Sequence, residues 1–178
     1  MLAGAGVALL GALLRTWATA HLTTNVVHDA VVRTERVVAD GPFRFVRNPL
    51  YVGVVMLAVG IAVTASRTGA LVMLLFVPLF LLRLVLREEA DLRASQGESY
   101  AAYVRAVPRL VPSPWPRVPA SGRAGSWRRA WMGEELFWMF GLGLGWHAWT
   151  GRWEVAAVLV AIGIALRIVE RVRARGKT

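Results

Sequence analysis

GPFRFVRNPLYVG, residues 41–53, joins a turn signal to two arginines, Arg44 and Arg47, and an Asn-Pro pair. An apolar run from Leu50 to Val63 follows at once. Asn48 is a good helix N-cap and Pro49 suits the first helical position, so a helix is expected to start here. The apolar run makes that helix a membrane helix, and the arginines then sit at its mouth. The question is why polar chemistry crowds that threshold.

The whole chain has the same character. Of its 178 residues, 56% are hydrophobic and 18% charged, and its mean hydropathy is +0.50. That is too apolar for an ordinary soluble domain. About 17–25 apolar residues suffice to cross the hydrocarbon core as a helix. Five such stretches are expected, roughly 1–20, 49–65, 69–86, 134–149 and 153–170. The fold class is therefore all-α, a polytopic membrane helical bundle. Arg15 lies in the first stretch and is expected to snorkel to the headgroups. No basic residue precedes that stretch, which argues against a signal peptide. Met1 runs straight into apolar sequence, as a truncated start would.

A net charge of +10 raises the possibility of nucleic acid, but its placement favours a membrane. Of 21 basic residues only Arg67 and Arg152 lie in the two short hairpin turns; the rest fall at helix ends, in 21–48 and 87–133, or in the tail. Lys and Arg gather in cytoplasmic loops. The expected topology has the N-terminus outside, and both long loops and the C-terminus in the cytoplasm. Basic loops beside anionic lipid need no nucleic acid. Cysteine is absent, which excludes disulfides, thiolate ligands and a Cys nucleophile. The three histidines, His21, His28 and His147, are scattered, so no protein metal site is expected.

Between the first two spans, RVVADGPF offers a short β-branched run and an Asp-Gly-Pro turn signal. The second and third spans are joined by so few residues that they form an antiparallel hairpin. Pro78 is expected to kink the third. SPWPRVPASGRAGS, rich in Pro, Gly and Ser, reads as a linker. The last hairpin, 134–171, carries Trp and Arg near its ends, as interfacial anchors.

Two charged constellations stand out. At VRNPLY, one reading is a capped helix start with ordinary positive-inside arginines. The other is an anion site, because a helix N-terminus presents unpaired N–H groups and Arg47 adds a forked donor. Tyr51 lies three residues past Asn48, on the same face. At REEADL, residues 87–92, one reading is a solvated helix end laced by Arg87–Asp91 and Glu89–Arg93 pairs. Acidic residues at a helix C-terminus oppose the macrodipole, however, so Glu88 and Glu89 call for partners. The hairpin supplies them: the start of one span lies beside the end of the other, bringing Arg47 to Glu88 and Glu89.

GPFRFVRNPLYVG followed by REEADLRASQGESYAAYVRAVPRLVP resembles the isoprenylcysteine carboxyl methyltransferase and phospholipid methyltransferase group of integral membrane methyltransferases. The resemblance covers about 28–112. It implies an S-adenosylmethionine-dependent enzyme, with a cytoplasmic cofactor pocket and a lipophilic acceptor entering from the bilayer. The family's cofactor contacts fall on His28, Glu35, Arg36, Val37, Val38, Phe43, Asn48, Pro49, Leu50 and Tyr51. The resemblance assigns the reactive end of the acceptor to an Arg and a Glu at the Glu-Glu helix; here the Glu is Glu88, with Glu89 adjacent, and Arg47, brought there by the hairpin, joins them as a catalytic candidate. Gly97, Tyr100 and Tyr103 match a turn and helix with a structural or closing role. The implied organisation is a core over 1–112, a linker over 113–133 and a terminal hairpin with basic tail over 134–178. The implied location is the cytoplasmic membrane of a bacterial cell.

This sequence departs from the family pattern at three positions. Asn48 stands where His is commonest, and Phe43 where Tyr is. Leu84 stands where the eukaryotic pattern has its substrate-side Arg. Arg83 and Arg87 are the neighbouring candidates for that role, although the five residues from Arg83 to Glu88 are about 500° of helix and do not share a face. The acceptor is left open among a phospholipid amine, an isoprenoid carboxylate and a lipophilic hydroxyl. Two other readings compete. One is a membrane reductase of the steroid-reductase type using NADPH, from whose motif Leu50 and Val54 depart. The other is a non-catalytic membrane component.

Overall fold

The computed structural model describes residues 1–27, 39–122 and 124–175. Among them the chain is all helical: α1 (Leu2–Val27), a 3-10 turn (Gly41–Arg44), α2 (Pro49–Ala62), α3 (Arg67–Ala106), α4 (Trp127–Gly133), α5 (Glu135–Thr150) and α6 (Trp153–Arg175). The Asp-Gly-Pro signal becomes the 3-10 turn, with Pro42 buried in it. The β-branched run before it, Val37 and Val38, lies outside the described residues.

Two helices are long and apolar enough to cross a membrane, α1 over Leu2–Leu22 and α3. The five-span expectation is met to that extent. With 14 and 16 residues, α2 and α5 reach about 21 and 24 Å, short of a hydrocarbon core of about 30 Å.

The centre of the bundle is α1, which packs on α2, α4 and α5. Its seam with α2 is built from small residues. A Cβ on Gly11 would lie 2.8 Å from the Gly53 carbonyl oxygen, and one on Gly60 2.7 Å from that of Gly4. Ala8 and Ala12 are fully buried beside them. Lipid competes with side chains for apolar contact, so close backbone approach is what holds membrane helices together.

Against α2 packs α3, while Leu75, Phe76, Leu79 and Phe80 point outward, as a lipid-facing helix requires. Its 40 residues reach about 60 Å, twice the hydrocarbon thickness. The apolar part, 69–86, is long enough to cross, and the charged second half follows it. Pro78 lies inside α3, where its fixed φ is compatible with helical torsions. The break in helical torsions falls at Gly97 (φ 55°, ψ −130°), a conformation open essentially to glycine alone.

That break turns residues 98–106 back toward the start of α2. Tyr100, Tyr103 and Val107 form a buried cluster packed against Ala39, Val104 and Val118. From there residues 107–121 run along residues 40–47 as a strap. The Arg47 N–H donates to the Pro108 carbonyl (2.8 Å), Ser113 to Phe45 (2.9 Å) and Arg117 to Arg44 (2.8 Å). At the end of the strap the buried Asp40 carboxylate accepts from the Ser121 N–H at 2.8 Å and from its hydroxyl. The first half of the segment expected as a linker is thus bound to the body, and α4 occupies its end.

Candidate active site

A cavity of about 650 Å³ opens where α1, the start of α2 and the emerging half of α3 converge. Phe43, Arg47, Asn48, Pro49, Leu50, Tyr51 and Glu88 line it, together with Arg15, Asp91, Gln96, Tyr100 and Tyr103. The hairpin of α2 and α3 brings these together, as the sequence order required. Such a volume suits a small molecule of cofactor size.

Glu88 and Glu89 are neighbours on a helix, so about 100° separates them and they face different things. Glu88 faces the cavity, where its Oε1 accepts from the Tyr51 hydroxyl at 2.7 Å. Glu89 faces inward and is 3% exposed. Its Oε1 accepts from Asn48 Nδ2 at 3.1 Å, its Oε2 from Arg47 Nη1 at 3.0 Å, and the Arg109 fork reaches both oxygens at 2.9–3.2 Å. Glu89 therefore does not pair with Arg93 in the manner of a solvated helix face. Burial pushes its pKa up, but hydrogen bonds from Arg109 and Asn48 and the charge of Arg47 outweigh that and hold the carboxyl below its ordinary range.

The same network explains Asn48. It occupies the N-cap position ahead of Pro49 but makes no capping bond with its side chain. Its amide is spent on Glu89 and on the Arg109 carbonyl, 3.2 Å away. Arg47 is likewise fixed, with Nε donating to the Val107 carbonyl at 2.8 Å. Tyr103 completes the frame by donating to the Phe43 carbonyl at 2.8 Å. Burial pushes its phenol pKa up, so it remains a donor.

Arg83 is not brought to the cavity. It is exposed, on the side of α3 away from Leu81, Val85 and Glu89, which are the buried positions of that stretch. Leu84 does not line the cavity either. His28, Glu35, Arg36, Val37 and Val38 lie outside the described residues. Arg15 does not snorkel. Its Nε and Nη2 donate to Glu134 (2.6 and 3.1 Å) and its Nη1 to the Leu50 carbonyl at 3.1 Å. A carboxylate and a carbonyl within reach replace the headgroups.

Sequence reasoning missed Arg109, Glu134, Arg15, Asp91 and Gln96. Arg109 had a signal, since VPRLVP belongs to the quoted pattern, and Asp91 stands in REEADL. Glu134 had none, because its partners Arg15 and Thr19 are more than 100 residues away.

The cavity thus combines fixed cations, an accessible carboxylate and aromatic faces at one end of the α2–α3 hairpin. A family model described as phospholipid methyltransferase matches residues 1–97, which is α1, α2 and α3 up to its glycine break. No curated protein and no solved structure matches the chain. With that match covering more than half its length, the chain belongs to the phospholipid methyltransferase family.

Proposed function

We propose that this protein transfers a methyl group from S-adenosylmethionine to an amine on a membrane lipid, in a cavity facing the cytoplasm. Its helices cross the bilayer several times with the N-terminus outside. The observation that carries the reading is the Tyr51–Glu88 hydrogen bond inside the cavity, 2.7 Å long, joining the two helices of the hairpin. The cavity residues fit the donor's three chemical parts. The start of α2, with Arg47 and Asn48, suits its carboxylate. Phe43, Tyr100 and Tyr103 suit its adenine, and the aromatic and acidic groups around Tyr51 suit its sulfonium. When bound, the cofactor supplies an electrophilic methyl group.

Glu88 orients the acceptor nitrogen and receives its proton. Tyr51 fixes the carboxylate it serves, and holding nucleophile and methyl in line supplies much of the acceleration. An amine is favoured over a carboxylate by charge. Arg47 is tied to Glu89, whereas Glu88 and Asp91 line the cavity and form no ion pair among the described residues. Detergent-purified protein is to be incubated with methyl-labelled S-adenosylmethionine and a membrane lipid extract. Label is expected in the organic phase with wild type and absent with Glu88→Gln, while the cofactor Kd is retained. NADPH binding without label would select a reductase, and no binding of either ligand a non-catalytic component.

A further inference from the structure

We propose that Arg15 is the contact for the acceptor's phosphodiester, and that the C-terminal helices build this subsite. The proposal rests on the methyltransferase reading and names the part of the acceptor that the reading leaves open. Arg15 lines the cavity with its side chain 17% exposed. Few cavity side chains are held from as many directions. Glu134, at the N-cap of α5, takes two of its N–H groups and the Leu50 carbonyl a third. The Phe137 ring lies beneath the guanidinium, 3.9 Å from ring centre to Cζ. Thr19 donates to Glu134 at 2.7 Å and fixes the carboxylate in turn.

An arginine has five N–H groups, so two remain, one on each terminal nitrogen. They belong to a planar fork suited to phosphate. The Glu134 carboxylate also accepts from Thr19, and it leaves those two N–H groups of Arg15 without a partner among the described residues. The side chain reaches Leu50 by crossing Gly53, where a Cβ would lie 2.4 Å from Arg15 Cγ.

Position assigns the ligand. Arg15 and Leu22 both line the cavity on α1, about 10 Å apart along the axis. Arg15 is the one farther from the emerging end, on the membrane side. Arg47 is tied to Glu89 and the strap, on the side the cofactor would enter. The acidic wall, Glu88 and Asp91, lies on α3. One basic and one acidic wall match a headgroup that carries a phosphate and an amine. Glu134 is then a positioning residue, acting through Arg15, and both it and Phe137 lie beyond the family match.

The test compares two acceptors, phosphatidylethanolamine and a phosphate-free diacyl lipid bearing the same primary amine. In Arg15→Gln/Glu134→Gln an amide pair replaces the ion pair, so folding does not depend on a lone buried charge. The preference in kcat/KM for the phospholipid should fall about tenfold or more, as for one lost charge-assisted hydrogen bond. Arg15→Lys should restore part of it. S-adenosylmethionine affinity should be retained. An unchanged preference, or a matching loss of cofactor affinity, overturns the proposal. Retention of each lipid by the detergent-purified protein in native mass spectrometry decides the case independently of turnover. If wild type methylates neither lipid, the methyltransferase reading fails. The subsite stands if wild type retains the phospholipid over the phosphate-free amine and the double variant loses that difference, and falls otherwise.

Discussion

Replacing Glu89 by Gln should separate the roles of two adjacent acids. The carboxylate is buried and accepts from three side chains, two of them arginines whose side chains are 10% and 36% exposed. Gln keeps the shape and one acceptor but removes the charge, leaving the largely buried Arg47 without its counter-ion. Breaking a buried pair by removing one partner costs about 3–5 kcal/mol. The exposure of Arg109 lets water recover part of its share, so about 3 kcal/mol is expected. For a domain of this size each kcal/mol lowers Tm by about 2–4 °C, hence a drop of about 6–12 °C. Tryptophan fluorescence of the detergent-purified protein reads the melting. The strap should also loosen, because Arg47 and Arg109 tie residues 107–109 to the start of α2. Limited proteolysis should cut there sooner, and cofactor affinity should fall as Arg47 and Asn48 lose their anchor. Glu88→Gln, by contrast, should leave Tm within about 1 °C, since Glu88 is exposed and among the described residues its side chain bonds only to Tyr51. An unchanged Tm for Glu89→Gln, or equal drops for the two variants, would refute the assignment of Glu89 as lock and Glu88 as chemistry.

Three further outcomes follow from the same contacts. Because the Glu89 carboxyl is held below its ordinary range, its stabilisation is fully present above the unfolded value of about 4.3 and is lost as pH falls through the lower folded value. Melting temperature should therefore fall more steeply below about pH 4 in wild type than in Glu89→Gln. Gly53→Ala should destabilise the α1–α2 seam by about 1–3 kcal/mol, through overpacking against Arg15 and the Gly11 carbonyl; a Tm equal to wild type would contradict the close approach. Gly97→Ala should cost about 1–3 kcal/mol through backbone strain alone, because the space around its Cβ is open. Denaturant titration should show that loss, and a neutral result would mean that the turn does not need its positive φ.

The helices themselves were legible because their signals are local. The Asn-Pro start of α2, the apolar run of α3 and the short Ser66–Arg67 turn each announce themselves within a few residues, and Ser66 does cap α3. The juxtaposition of Arg47 with the Glu-Glu pair was also legible, because a hairpin with a short turn has one possible pairing of ends. The sharp turn in α3 comes at Gly97, which leaves the helical region, where the resemblance placed a turn.

What sequence alone determined was therefore the class: an all-helical chain with membrane-length apolar helices and a polar cluster at one hairpin end. Tertiary structure decided the division of labour inside the cluster. Glu88 and Glu89 are chemically identical, and their difference arises only from which face α2 and the strap occupy. The bond between Arg15 and Glu134 likewise joins residues 119 positions apart, beyond any local periodicity. Short-range rules govern which dihedral angles a residue adopts, whereas a buried charge takes its partner from whatever the fold carries to it.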